Sequence, residues 1–129
     1  MNLKTFLLTW GMILVGVIMN VLGMYFVKMR MNELGAIELT SVKAVTGYFL
    51  SLVMSPLALV GLILFLLAPL PSAIALSRME LSIAYPLSIA LSCLIIVPLA
   101  SIFFGEIVNM NKILAIVMII ASLYFMYKV

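Results

Sequence analysis

The chain has 129 residues, of which 67% are hydrophobic and 9% are charged. A water-soluble domain of this length needs a larger charged surface, so the composition excludes one and predicts a single membrane domain over residues 1–129. One cysteine, Cys93, and no histidine exclude a disulfide framework and the common zinc patterns, and the net charge of +3 suits anionic lipid headgroups rather than nucleic acid.

The first predicted element is a transmembrane helix over about residues 3–27. A spanning helix needs about 20 mostly apolar residues, and this stretch is too long for the core of a signal peptide. Lys28 and Arg30 mark its exit from the hydrocarbon. The polar segment 29–40 cannot lie in lipid. In 41–54, apolar residues recur at helical spacing, which predicts a short interfacial helix, either separate from the next span or continuous with it.

Three further transmembrane helices are predicted over about residues 56–76, 81–104 and 112–127. Pro56 suits the first turn of the second helix, whereas Pro69 and Pro71 predict a kink or a break near its end. The fold prediction is therefore an all-α membrane protein with four transmembrane helices and a short interfacial helix between helices 1 and 2.

The cations give almost no orientation signal. With the N-terminus cytoplasmic, three cations lie on that side and four on the other: Lys4, Arg78 and Lys128 against Lys28, Arg30, Lys43 and Lys112. The positive-inside rule orients helices by a clear bias. We therefore expect either that the N-terminal amine tips the balance or that the chain inserts in both orientations.

No catalytic site is predicted. The four acidic residues all lie in predicted loops or at helix ends: Glu33, Glu38, Glu80 and Glu106. Intramembrane carboxylates are the usual proton carriers of transporters, so a proton-coupled exporter with a buried acid is disfavoured. The chain has no Ser/His/Asp set, Cys/His pair or metal-binding cluster, so we expect neither an enzyme nor a bound cofactor or metal.

Helix 1 carries one face of small and polar residues, at spacings of four, three, four and three: Thr9, Ile13, Gly16, Asn20 and Gly23. The two glycines are expected to permit close packing of a neighbouring helix. Asn20 has two interpretations, a hydrogen bond to a neighbouring helix or a contact with a substrate.

Helices 3 and 4 supply the remaining candidates. Pro86 frees the carbonyl four residues back and the Tyr85 phenol is a directed donor, so we expect Tyr85 to face a cavity. Ser88 and Ser92, one turn apart, either bond their own backbone or contact a substrate. On helix 4, a stripe of small residues predicts a helix–helix contact, which we assign to a dimer interface: Ala115, Ile119 and Ser122.

Three short motifs resemble the small members of the drug/metabolite transporter superfamily. Ile83-Ala84-Tyr85-Pro86 opens helix 3, Phe103-Phe104-Gly105-Glu106 precedes helix 4, and Lys28 follows Gly23 by five residues. The resemblance covers the chain except for residues 29–54, which form a longer insertion than in the smallest relatives.

Two branches of that superfamily are candidates. Small multidrug resistance exporters have a glutamate three residues before the motif glycine, where this chain has Asn20. A register on Ile13-Leu14 instead places Gly16 at the acid's position. Flippase subunits for undecaprenyl phosphate-linked aminoarabinose lack the acid, and their helix 3 begins with Ala-Tyr-Pro, as Ala84-Tyr85-Pro86 does here. The sequence resembles this second branch more.

The resemblance implies a flippase of the bacterial inner membrane that moves a lipid-linked substrate and works as a homodimer or with a similar small subunit. Substrate contacts are expected at Asn20, Lys28, Arg30, Tyr85 and Ser88. Lys28 is the preferred partner of the phosphate because it holds the family position, whereas Lys43 is expected to anchor to headgroups. Two alternatives stay open: an exporter of cationic or aromatic compounds, and an accessory subunit that transports nothing.

Overall fold

A computed structural model describes residues 2–37 and 39–128, and every regular element in these two ranges is a helix. Six helices follow one another in the chain: α1 (Leu3–Leu34), α2 (Val42–Val53), α3 (Pro56–Leu67), α4 (Pro69–Leu76), α5 (Leu81–Phe104) and α6 (Met110–Lys128). Glu38, one of the four acids predicted to lie outside the spans, falls outside the described residues.

Helix α1 extends to Leu34, so its predicted end at residue 27 is wrong. The cations mark where a helix leaves the hydrocarbon, but they do not end it. Arg30 Nη1 donates to Glu33 Oε2 at 2.7 Å, and an ion pair at this spacing stabilises a helical turn in water. Gly35, with φ of 81°, ends the helix in a backbone conformation that favours glycine.

The second predicted span consists of two helices, α3 and α4, which meet at one of its prolines. Helix α3 begins with Pro56 in its first turn, and Pro69, which has no N–H to donate, separates α3 from α4 at Ala68. Both predictions are confirmed. Residues 54–55 separate α2 from α3, so the short helix predicted over 41–54 is not continuous with the span.

The last two helices lie close to their predicted ranges. Helix α5 has the predicted bounds, with Pro86 and Pro98 inside it, and it ends at Gly105, whose φ of 64° is left-handed. Helix α6 begins before residue 112, because Asn109 Oδ1 accepts the Lys112 N–H at 3.1 Å and so caps the first turn.

Three apolar stretches are long enough to cross a membrane: residues 4–34, 56–76 and 81–104. The apolar part of α6, residues 110–125, is shorter. Only 33% of the most apolar window of α1 is buried, and the share falls to 6% in α5. Most of the apolar surface of these helices is therefore uncovered within one chain.

Helix α1 is the central element and packs against α3, α4 and α5, whereas α6 contacts only α5 among the described helices. The predicted face of α1 is the buried one: Thr9, Ile13, Gly16 and Gly23 are buried, and Asn20 is half-buried. A Cβ atom on Gly23 would lie 2.7 Å from the Gly61 carbonyl oxygen, so the two backbones touch. The prediction that Gly16 and Gly23 permit close packing is confirmed.

The Tyr48 side chain links helix α2 to the end of α1. The Tyr48 hydroxyl donates to the carbonyl oxygen of Gly35 at 3.0 Å, just beyond the last turn of α1. Leu52 is buried on the same helix, whereas Val42 and Phe49 are exposed. The side of α2 that carries Leu52 therefore packs on the bundle, while the apolar side chains of Val42 and Phe49, at the edge of that side, stay uncovered within one chain.

Candidate functional site

Two grooves follow the seam between α1 and α5. The first, of about 500 Å³, lies between α1, α5 and α6, and we name it the lysine groove after Lys28 and Lys112 in its wall. The second, of about 480 Å³, lies between α1, α4 and α5, and we name it the asparagine groove after Asn20. Both grooves are open on one side rather than enclosed.

The lysine groove combines apolar walls with charge at one end. Lys28 comes from the last third of α1, Glu106 from the loop after α5, and Lys112 from the first turn of α6. The Lys112 ammonium donates to the carbonyl oxygen of Ile107 at 2.9 Å. Within residues 2–37 and 39–128, neither Lys28 nor Glu106 forms an ion pair. Two cations and one carboxylate thus give this end a net positive charge.

An aromatic cluster forms the wall beside this charged end. The Tyr25 ring lies 5.3 Å from the Phe103 ring and 5.4 Å from the Phe104 ring, measured between centroids. Such ring pairs stabilise a contact beyond their buried area, so they fix the end of α5 against α1. Gly105 then turns the chain, and Glu106 lines the groove. The motif that precedes helix 4 therefore lies beside Lys28.

The asparagine groove carries uncharged polar groups. Asn20, Tyr85 and Ser88, three of the predicted substrate contacts, line it together. The Ser88 hydroxyl donates to the Ala84 carbonyl oxygen at 2.8 Å, so its donor is used within α5 while its oxygen still accepts. The Asn20 amide has no hydrogen-bond partner in the described part of the chain, and Tyr85 is 64% exposed. The cavity-facing position predicted for Tyr85 agrees with this arrangement.

The five predicted substrate contacts do not form one cluster. Lys28 lies in the lysine groove, whereas Asn20, Tyr85 and Ser88 lie in the asparagine groove. Arg30 lines neither groove and is paired with Glu33. A side chain two residues beyond Lys28 on a helix points about 200° away from it, so Arg30 lies on a different side of α1, and a substrate contact there stays a prediction.

Two charged residues of the lysine groove were missed. Glu106 and Lys112 flank the short connection between α5 and α6, and both line the groove with Lys28. The predicted topology places Lys28 and Lys112 on the same side of the membrane. Their common side is the signal that could have pointed to all three charged residues of this groove.

Two of the three α6 residues predicted to form a dimer interface line the lysine groove of their own chain. Ala115 and Ile119 line the lysine groove, and the Ser122 hydroxyl donates to the Ile119 carbonyl oxygen at 2.7 Å. Their spacing places them on one side of α6, as predicted, but that side looks toward the groove. A role for them in a dimer stays a prediction.

Compared with models of protein families, with curated proteins and with solved structures, the chain matches none. The resemblance to small transporters therefore rests on the sequence motifs, and the assignment of a function rests on the two grooves.

Proposed function

We propose that this protein is a small membrane transporter that moves an amphipathic, polyprenyl phosphate-linked sugar between the leaflets of a bacterial inner membrane. The observation that carries the proposal is the lysine groove, whose apolar walls end at Lys28 and Lys112. A polyprenyl phosphate has the matching order of groups, with an apolar tail attached to an anion.

The charge of the groove favours an anionic headgroup over a cationic drug. Two lysines and one glutamate attract a phosphate and repel a quaternary ammonium, and ammonium–phosphate hydrogen bonds are among the stronger ones in proteins. The groove is open on one side, so a long tail lies partly against its walls and partly in lipid. The multidrug-exporter alternative has no comparable support, because the one carboxylate that lines this groove shares it with two lysines.

The sugar is assigned to the asparagine groove. A carbohydrate offers many hydroxyl groups and no charge, and its burial is costly unless these groups are hydrogen-bonded. Asn20 supplies two donors and an acceptor, and Tyr85 supplies a hydroxyl. An uncharged polar groove suits this part of the substrate.

The proposal includes four spans, with α2 lying at the membrane surface. Helix α6 has 19 residues, about 28 Å at 1.5 Å per residue, which is close to the hydrocarbon thickness of about 30 Å. Since α6 contacts only α5 among the described helices, its other apolar side chains are available to a second subunit, the same or similar. Transport would follow alternating access, with the helices rocking around the grooves.

The experiment is a binding assay with purified protein in nanodiscs. Undecaprenyl phosphate is expected to bind, and Lys28→Ala with Lys112→Ala in one chain is expected to abolish that binding. A lipophilic quaternary cation such as tetraphenylphosphonium serves as the competing class. Binding of the cation but not of the phosphate would support the exporter alternative, and binding of neither would support an accessory subunit.

A further inference from the structure

The two grooves occupy successive stretches of α5. On α5, residues between 84 and 92 line the asparagine groove and residues between 97 and 104 line the lysine groove, while Cys93 and Ile96 line both. The grooves therefore meet at one turn of this helix. Their outer ends on α5, Ala84 and Phe104, are 20 residues apart, about 30 Å at about 1.5 Å per residue.

Helix α1 repeats the same order on the facing side of the seam. Ile13, Gly16, Val17 and Asn20 line the asparagine groove, and Met24, Tyr25 and Lys28 line the lysine groove. Along both helices the uncharged polar groups lie in one groove, while the charges of Lys28, Glu106 and Lys112 lie at the far end of the other. The combined length of the two grooves is close to the hydrocarbon thickness of about 30 Å.

We propose that the two grooves are consecutive parts of one path across the membrane, joined at Cys93 and Ile96. This inference rests on the proposed function and specifies its route: the headgroup moves along the α1–α5 seam while the polyprenyl tail stays in lipid beside the open side. The charged end receives the phosphate, and Asn20 and Tyr85 hydrogen-bond the sugar within the membrane, where unpaired polar groups are costly.

The junction makes Ile96 the residue that limits what passes. Of the two residues that line both grooves, Ile96 has the larger side chain. A still larger side chain at this position would close the path and leave the charges of Lys28 and Lys112 unchanged. Binding at the charged end and passage along the seam are therefore separable by substitution.

The first test uses Cys93 as a reporter, because it is the one cysteine of the chain. In detergent micelles, undecaprenyl phosphate is expected to slow the reaction of Cys93 with a small thiosulfonate by at least about fivefold, the effect of about 1 kcal/mol of protection. The matched control is Cys93→Ser with Leu94→Cys, since Leu94 is exposed and lines neither groove. Equal protection at both positions, or at neither, would overturn the path.

The second test separates binding from passage. Ile96→Trp and the control Leu94→Trp are compared for undecaprenyl phosphate binding and for flipping of a fluorescent polyprenyl phosphate in proteoliposomes. Overpacking costs about 1–3 kcal/mol, so Ile96→Trp is expected to slow flipping at least about tenfold, and to slow it by more than it weakens binding. Normal flipping by Ile96→Trp would refute the path and leave the proposed function standing. A wild-type protein that does not bind the lipid would refute both.

If Ile96→Trp does not fold, Ile96→Phe replaces it in the flipping assay. If neither variant folds, the Cys93 protection experiment decides alone, since it needs no substitution in the tested protein.

Discussion

Lys28 is the cation that we propose binds the substrate phosphate. It lines the lysine groove and forms no ion pair in the part of the chain that the structure describes. A charge-assisted hydrogen bond contributes about 1.5–3 kcal/mol, so Lys28→Ala should weaken binding of a polyprenyl phosphate by about 10–100-fold. Lys28→Arg should keep part of the affinity, because the charge stays while its geometry changes. Equilibrium binding in nanodiscs measures both.

Lys43 provides the matched control for this substitution. It is an exposed lysine of α2 and lines neither groove, so Lys43→Ala should leave the affinity unchanged. The reverse result, a large loss of affinity with Lys43→Ala and none with Lys28→Ala, would move the phosphate site to α2.

Gly23 is the residue whose substitution should most disturb the helix packing. A Cβ atom there would lie 2.7 Å from the Gly61 carbonyl oxygen and 2.9 Å from the Phe65 backbone nitrogen, and neither backbone atom can move aside cheaply. Gly23→Ala should therefore lower the free energy of unfolding by about 1–3 kcal/mol. Unfolding in mixed detergent micelles measures the change.

Gly11→Ala is the control, because nothing lies within 4 Å of the added carbon and alanine favours the helix by up to about 1 kcal/mol. A Gly23→Ala protein as stable as Gly11→Ala would contradict the packing described for α1 and α3.

Single residues were predictable from sequence where one local rule applied. The periodic face of α1 predicted the buried positions Thr9, Ile13, Gly16 and Gly23, because helical spacing alone decides which side chains share a side. The grooves required knowledge of which helices are neighbours. Asn20 and Lys28 therefore looked like parts of one site, although they line different grooves.

At the scale of elements, Tyr48 is the contact that fixes the short helix α2 to α1. Tyr48→Phe removes the hydroxyl that donates to the Gly35 carbonyl oxygen at 3.0 Å, and a hydrogen bond of this kind contributes about 0.5–1.5 kcal/mol. Hydrogen exchange of the α2 amides should become roughly fivefold faster, the factor for about 1 kcal/mol.

The control for α2 is Thr46→Val, since the Thr46 hydroxyl donates within its own helix, to the Val42 carbonyl oxygen at 2.8 Å. If exchange accelerates equally in both variants, the loss of any hydroxyl group destabilises α2, and the Tyr48 hydrogen bond does not hold it against α1.

Helix bounds were predictable where a residue directly controls the backbone. Pro56 and Pro69 set the starts of α3 and α4, and Gly105 ends α5, and these bounds agree with the sequence. The end of α1 was missed because hydropathy reports where lipid ends, whereas the helix continues through the Arg30–Glu33 pair to Gly35. The interfacial position of α2 stays a prediction.

At the scale of the whole molecule, the near balance of cations predicts an orientation that small charge changes can alter. Lys28 and Lys112 line one groove and so lie at one end, while Lys4 and Arg78 belong to the other. Adding two lysines to the 77–80 turn should place the N-terminus inside in every molecule. A C-terminal reporter on either side of the membrane measures this. One fixed orientation before and after the change would exclude dual topology and favour an oppositely oriented partner.

The central claim is that this chain carries a lipid phosphate between leaflets, and flipping in proteoliposomes tests it most directly. A fluorescent polyprenyl phosphate is placed in both leaflets, and an added quencher that does not cross the bilayer reports the fraction that reaches the outer one. We expect nearly all of the fluorescence to be lost with the wild-type protein, and about half of it with the variant that carries Lys28→Ala and Lys112→Ala. Loss of only half with the wild-type protein, equal to that in protein-free liposomes, would contradict the claim.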